Sequence, residues 1–149
     1  MSKYANGIYQ LLNPQKYVGK KAPHYRSSWE NVVMRMCDNN PSILQWANEA
    51  IHINYRNPFT NKNTIYVPDF FVVYVDANNK QHAELWEIKP TKETTLEAAG
   101  NSKKAQAAAI LNMCKWQAAQ AYCKANNLGW RIITEKDMFH GGKPPKINK

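Results

Sequence analysis

Apolar residues settle into a helical spacing early in the chain. Trp29, Val32, Val33, Met36 and Cys37 fall at i, i+3, i+4, i+7 and i+8, one face of a helix that starts at Ser27 or Ser28. Asn39-Asn40-Pro41 ends it, and Pro41 is expected to open a short second helical turn through Trp46. The period then changes. Residues 50–55 read as a strand, 57–63 as a turn cluster, and 65–75 as a long strand rich in Val, Phe and Tyr. After a turn at Ala77-Asn78-Asn79, residues 82–89 form the next strand, and Pro90 stops it. A looser stretch containing Gly100 leads into a long helix from about Ser102 to Asn126, with Gly129 as its expected terminator. Its expected apolar stripe is Ile110, Met113, Cys114, Ala118, Ala121 and Tyr122. Residues 130–134 are the last strand, so the predicted order is α-β-β-β-α-β, an α/β fold. Before this core (27–138) lies an irregular arm (1–26) in which Tyr4, Tyr9, Tyr17 and Tyr25 are interspersed, and after it a loose tail (139–149).

Composition adds a partner. The chain has 149 residues, the size of one domain, and 20 Lys and Arg against 11 Asp and Glu give a net charge of +9. This balance excludes an acidic scaffold and enzymes of small cations, and points to a polyanion. The cations concentrate at the ends: Lys3, Lys16, Lys20, Lys21 and Arg26 precede Glu30, the first acid, and Lys143, Lys146 and Lys149 close the chain. With nucleic acid and an anionic membrane both open as that polyanion, Lys16, Lys20, Lys21 and Arg26, with Lys115 on the long helix, are the candidate nucleic-acid contacts, directed mostly at the backbone.

Other chemistries find no footing. Cys37, Cys114 and Cys123 form no C-x-x-C and read as buried free thiols, and the four histidines lack zinc spacing. No apolar run approaches the ~18 residues of a membrane span, so a soluble, cytosolic protein without a membrane partner is expected. No P-loop, Ser-His-Asp set or H-E-x-x-H motif is present.

One constellation carries chemistry. Asp69 lies in Tyr66-Val67-Pro68-Asp69-Phe70-Phe71, and Glu87 and Lys89 lie in Leu85-Trp86-Glu87-Ile88-Lys89-Pro90. With a three-residue loop of Ala77, Asn78 and Asn79, Asp76 faces Lys80, and stepping back along both strands sets Asp69 opposite Glu87. A two-residue loop would instead split the cluster across the sheet. Adjacent carboxylates repel unless a hard cation neutralises them, so Mg²⁺ is the expected guest of Asp69 and Glu87. Lys89 is then placed to orient water or stabilise charge on a phosphate. Glu30 is open between two roles at this level: Ser27-x-x-Glu30 matches a capping box, yet Glu30 could equally supply a third carboxylate. Gln117 falls in the expected apolar stripe, where a core hydrogen bond competes with an auxiliary role at the site. Glu84 belongs to the opposite strand face, and Glu135 and Asp137 read as solvated charges.

These residues resemble the PD-(D/E)XK nuclease superfamily. Asp69 matches its first acidic motif, Glu87-Ile88-Lys89 its (D/E)-x-K, and Glu30 the helix glutamate of the branch that holds TnsA-type endonucleases and phage junction resolvases. A second similarity runs along residues 13–138 to the head-completion proteins of T4-like tailed phages. It is carried by Asn13-Pro14-x-Lys16-Tyr17-Val18-Gly19, Tyr25-Arg26-Ser27-Ser28-Trp29-Glu30, Val67-Pro68-Asp69-Phe70-Phe71, Glu87-Ile88-Lys89-Pro90, Lys115-Trp116-x-Ala118-Ala119-x-x-Tyr122-Cys123 and Ile133-Thr134-Glu135. In 91–104, where that family has a longer basic linker, Glu93 and Glu97 dilute the charge.

The resemblance implies a restriction-endonuclease-like αβββαβ core, a mixed sheet flanked by helices. It implies a metal-dependent DNA endonuclease with Glu30, Asp69, Glu87 and Lys89 as catalytic residues. Mg²⁺, with Mn²⁺ as substitute, would be held by Asp69, Glu87 and Glu30. It further implies action in the host cytoplasm, portal or head–tail connector partners, and incorporation into the virion. The rival readings are a non-catalytic plug that binds DNA or portal on the same fold, and a junction- or end-specific recombination nuclease.

Overall fold

A computed structural model describes residues 6–138. The expectations for the 139–149 tail and for Lys3 lie outside the described residues. The arm holds β1 (Gly7–Ile8) and β2 (His24–Tyr25), paired antiparallel, with a 3₁₀ turn at Pro14–Lys16 between them. Helix α1 (Ser28–Asn39) follows, capped by the Ser27 side chain. The central sheet has the order β3-β6-β7-β8, formed by β3 (Ile43–Asn48), β6 (Phe70–Val75), β7 (Gln81–Ile88) and β8 (Gly129–Ile133). Neighbours β3, β6 and β7 run antiparallel, while β7 and β8 run parallel. A separate two-stranded ribbon, β4 (Ile53–Asn57) with β5 (Lys62–Tyr66), is inserted between β3 and β6. Helices α2 (Leu96–Ala99) and α3 (Lys103–Ala125) precede β8, and α4 (Glu135–Met138) follows it. The core order is the expected α-β-β-β-α-β, a mixed sheet between helices.

The first core strand is not where the pattern put it. Residues 43–48, read as a helical turn, form edge strand β3, and a bulge shifts the register between Ile43 and Gln45. The extra residue leaves Ile43 and Trp46 both buried three positions apart, a spacing that imitates a helix. The long strand 65–75 is likewise two strands. Pro68 has no N–H to give a ladder, so β5 ends at Tyr66 and β6 begins at Phe70.

The hairpin register is the expected one. Phe70 pairs with Trp86 and Val75 with Gln81, and the Asp76 N–H donates to the Lys80 carbonyl over 2.9 Å. Asn79 closes the loop in the left-handed region at φ 63°, the conformation of a three-residue bulged turn. Asn79→Val is therefore expected to cost about 1–2 kcal/mol in chemical denaturation, since a Cβ-branched residue resists that region. An unchanged midpoint would show that the turn does not set the register.

Two cores follow. Val33, Met34, Cys37, Trp46, Phe70, Trp86 and Ile133 pack between α1 and one sheet face. Ile53, Tyr66, Leu85, Trp116, Ala119 and Cys123 pack between α3, the ribbon and the other face. The buried positions of α3 are Ala109, Asn112, Trp116, Ala119 and Cys123, a different stripe from the one expected. Alanines all round the helix blur its apolar face, and Met113, Ala121 and Gln117 face outward instead. Asn127, not Gly129, terminates α3: it has φ 57°, and the Leu128 N–H closes back on the Cys123 carbonyl at 2.8 Å. Gly129 serves a close approach, because a Cβ there would lie 2.9 Å from Glu84 Cγ.

The arm is pinned down more firmly than an irregular segment would be. Tyr17 bridges to Trp46 on the free edge of β3, and their rings meet edge-on at 4.8 Å. At its base, the Asp38 carboxylate accepts from the Tyr9 hydroxyl (2.8 Å), the Leu12 N–H (2.8 Å) and the Asn13 N–H (2.9 Å).

Candidate functional site

The site forms where the ends of four elements meet, α1, β3, β6 and β7. Asp69 stands at the entry to β6 because Pro68 interrupts the chain just before it. Its Oδ2 accepts from the Ile88 N–H at 2.8 Å, and its own N–H donates to Glu87 Oε1 at 3.3 Å. These reciprocal bonds bring Asp69 and Glu87 together on the face the register requires. Lys89, one step beyond β7, places Nζ 3.9 Å from Glu87 Oε2. Glu84 is on the other face, where it accepts from Tyr74, Trp86 and Arg131.

Glu30 takes part in capping α1, though not as the full capping box, and also reaches the sheet end. Ser27 Oγ accepts from the Glu30 N–H at 3.2 Å and donates to Glu30 Oε2 at 3.3 Å. Oε1 accepts from the Arg26 N–H at 3.2 Å rather than from the Ser27 amide of the usual capping box. The carboxylate nevertheless reaches the sheet end: one ligand oxygen each from Glu30, Glu49 and Asp69 lie within 4.8 Å of one another.

Glu49 is the member that sequence reasoning missed. It follows β3 directly, and its N–H donates to the Asp69 carbonyl at 2.9 Å, extending the β3–β6 ladder by one step. Its φ is 51°, a left-handed conformation that costs a non-glycine residue about 1–2 kcal/mol and is found where surrounding structure imposes it. The only sequence signal was an acid in Asn48-Glu49-Ala50, and it became meaningful only once β3 was correctly placed.

Electrostatics mark the cluster as cation-seeking. Burial, with the charges of Glu87 and Glu30, pushes the Asp69 carboxyl well above its ordinary range. Burial also raises Glu30, with Glu49 adding to the shift, and raises Glu87 against the pull of Lys89. The donor set is all oxygen, as a hard divalent ion requires. Ligand oxygens of one octahedral Mg²⁺ lie about 3 Å apart when adjacent and about 4.2 Å when opposite, so the trio would draw together on holding one. The residues therefore fit a metal. Glu87, expected as a ligand, does not join the closest trio; it backs Asp69 and faces Lys89.

The candidate DNA contacts separate. Lys16 is committed to structure: Nζ donates to the Asp38 and Asn40 carbonyls, both at 2.9 Å, and so caps the C-terminus of α1. Arg26 binds Glu49 through Nε at 2.8 Å and Nη2 at 3.1 Å, beside the trio. Lys20 and Lys21 line a cleft that runs to Glu49 and His52. A second cleft, lined in part by Glu30, also holds Lys89 and Lys92 in its wall. Lys115 reaches the site from α3, with Nζ above the rings of Tyr66 (5.7 Å) and Tyr55 (6.0 Å). Its ammonium is pulled below its ordinary range by burial and by Lys89, while Glu87 opposes the shift. Gln117 is exposed. Glu135, expected to be solvated, accepts from the Thr91 N–H and hydroxyl, both at 2.8 Å, and anchors the chain just after Lys89-Pro90.

Residues 40–135 match the model of the TnsA-like endonuclease N-terminal domain. The chain belongs to the TnsA-like endonuclease family. Over 143 residues it is also 31% identical to the head completion nuclease of Enterobacteria phage T4, covering 89% of this chain and 93% of that protein. The family match spans Glu49, Asp69, Glu87 and Lys89 and leaves out α1, so within the TnsA-like match Glu30 is contributed from outside the boundary.

Proposed function

We propose that this chain is a Mg²⁺-dependent DNA endonuclease of the PD-(D/E)XK type that hydrolyses phosphodiester bonds during phage head completion. The observation that carries this reading is the convergence of Glu30, Glu49 and Asp69 within 4.8 Å, next to Glu87 and Lys89, in a member of an endonuclease family. Glu30, Glu49 and Asp69 would hold the metal, and Mn²⁺ should substitute for it. Bound there, the ion would supply Lewis acidity toward a phosphate oxygen and lower the pKa of water. Glu87 holds the Asp69 backbone and, with Lys89, defines the side from which water approaches. The Lys89 ammonium donates to that water or to charge developing on phosphate. Lys20, Lys21 and Lys115 would hold the DNA backbone from both sides of the metal trio. The similarity to the phage T4 nuclease supports action in the host cytoplasm, with portal or connector proteins as partners and incorporation into the virion.

The test is cleavage of supercoiled plasmid. Wild type should nick with Mg²⁺ or Mn²⁺ and stop in EDTA, while Lys89→Ala should lose about 10²–10³ in rate, as for removal of one charge-stabilising donor. Equal nicking by Lys89→Ala and wild type would sink the assigned site. No nicking by either, with DNA binding retained, would favour the plug, and a strong preference for branched over linear substrate would favour the junction nuclease.

A further inference from the structure

The outer part of the β4–β5 ribbon has no task in the site just described. The ribbon's inner end is fastened, with Ile53 and Tyr66 buried against Trp116 and Ala119 of α3. Its outer end is bare: every residue from 58 to 65 is exposed, so both faces of the ribbon meet solvent. A two-stranded ribbon with two solvated faces gains little from its own packing. Yet its tip is organised. Asn57 Oδ1 accepts from the Phe59 N–H (2.8 Å) and the Thr60 N–H (3.3 Å), and Asn61 adopts φ 59°. Arg56 Nε donates to Asn61 Oδ1 at 2.9 Å and ties the strand to the turn. The turn presents Phe59, 57% exposed, to solvent.

Charge identifies what such a tip would meet. Residues 50–68 contain no Asp or Glu, while Arg56 and Lys62 flank Phe59. Lys115 sits over Tyr55 and Tyr66 at the ribbon's base, so cations stand at both the tip and the base of the ribbon. In the chain the ribbon is the segment between Glu49 and Asp69, two members of the carboxylate trio. Four strand steps from Tyr66 to Lys62 span about 14 Å, on the order of four base pairs of duplex. A two-stranded ribbon fits the major groove of B-DNA.

We propose that the β4–β5 ribbon is a DNA-binding arm that enters the major groove of duplex DNA on one side of the cleavage site. Arg56 and Lys62 contact phosphates, and Phe59 packs on base edges. The inference rests on the nuclease reading for its substrate, and its test does not depend on cleavage. Binding of a fluorescein-labelled duplex is measured by anisotropy in EDTA across a salt series, with plasmid nicking in Mg²⁺ measured separately. Phe59→Ala should weaken binding about five-fold or more, the loss for removing a partly buried phenyl, and Phe59→Trp should restore it. Lys62→Gln should reduce the slope of log affinity against log salt by about 0.9, one phosphate contact. Both positions are exposed, so thermal unfolding should be unchanged. If Phe59→Ala and Lys62→Gln bind duplex with wild-type affinity and slope while wild type nicks plasmid, the arm is overturned and the nuclease stands; the ribbon then serves a protein partner. A wild type that binds duplex through Phe59 and Lys62 but never nicks supports the arm and overturns the nuclease.

Discussion

Replacing Asp69 by Asn is expected to abolish plasmid cleavage and, in metal-free buffer, to make the protein more stable than wild type. The two effects have one cause. Burial and the charges of Glu87 and Glu30 raise the Asp69 carboxyl well above its ordinary value in the folded protein. A carboxyl whose folded pKa is raised favours the fold fully only below its ordinary pKa of about 3.9, and that contribution is lost as pH rises through the folded value. At pH 7 the wild type bears this penalty and the amide does not. Asn keeps the geometry, since its Oδ1 can still accept from the Ile88 N–H. The gain should be about 0.5–2 kcal/mol in EDTA, the range of single stabilising changes that relieve functional strain. It should vanish near pH 3, where both side chains are neutral. Mg²⁺ should raise the wild-type melting temperature by mass action and leave the variant nearly unmoved. Cleavage should fall about 10³-fold or more, because a ligand and a charge are lost together. A variant less stable than wild type in EDTA, or an equal response of both proteins to Mg²⁺, would mean that the cluster is not a cation site.

The chemistry of this cluster was legible because it depends on local rules. A three-residue turn fixes parity, parity fixes the face, and Asp69 and Glu87 must then share it. Glu84 was assigned to the other face by the same rule, and it lies there. Glu49 was not legible, because its place depends on β3, and the β3 bulge spaces Ile43 and Trp46 like a helix. The α3 stripe was misread for a related reason. In an alanine-rich helix the apolar pattern scarcely distinguishes one face from another, so tertiary contact with Tyr66 and Leu85 selects Trp116 and leaves Gln117 outside. Lys16 shows the limit of charge counting: the lysine nearest Asn13-Pro14 spends its ammonium on the end of α1, which no one-dimensional pattern reveals. The arm behaves likewise, since its anchor is an aspartate 25 residues or more further along.

That anchor sets the second large effect. Asp38→Ala is expected to destabilise the protein by about 3–5 kcal/mol, a large part of the 5–15 kcal/mol that holds a domain together. Asp38 is fully buried, and three donors converge on its carboxylate, each worth more than a neutral hydrogen bond because the acceptor is charged. Alanine would leave the Leu12 and Asn13 N–H groups and the Tyr9 hydroxyl without their acceptor inside the fold. Burial and the Asp38 carboxylate push the Tyr9 hydroxyl up to about 12, so it remains a donor throughout the working pH range. Burial alone would raise Asp38, but the bonds from Leu12, Tyr9 and Asn13 outweigh it and hold the group below its ordinary value. A depressed folded pKa contributes stability that is complete above about pH 4 and is lost as pH falls through the folded value. The gap between wild type and variant should therefore be full at pH 7, about 10 °C in melting temperature, and should narrow below pH 4. Tyr9→Phe removes one donor without stranding a buried charge and should cost only about 1–2 kcal/mol. Loosening the arm would also free Tyr17 from Trp46 and Lys20 and Lys21 from their cleft, so DNA binding should weaken at temperatures where the Asp38→Ala core is still folded. An Asp38→Ala protein with wild-type stability at pH 7 would show that the arm is held by its aromatic contacts alone.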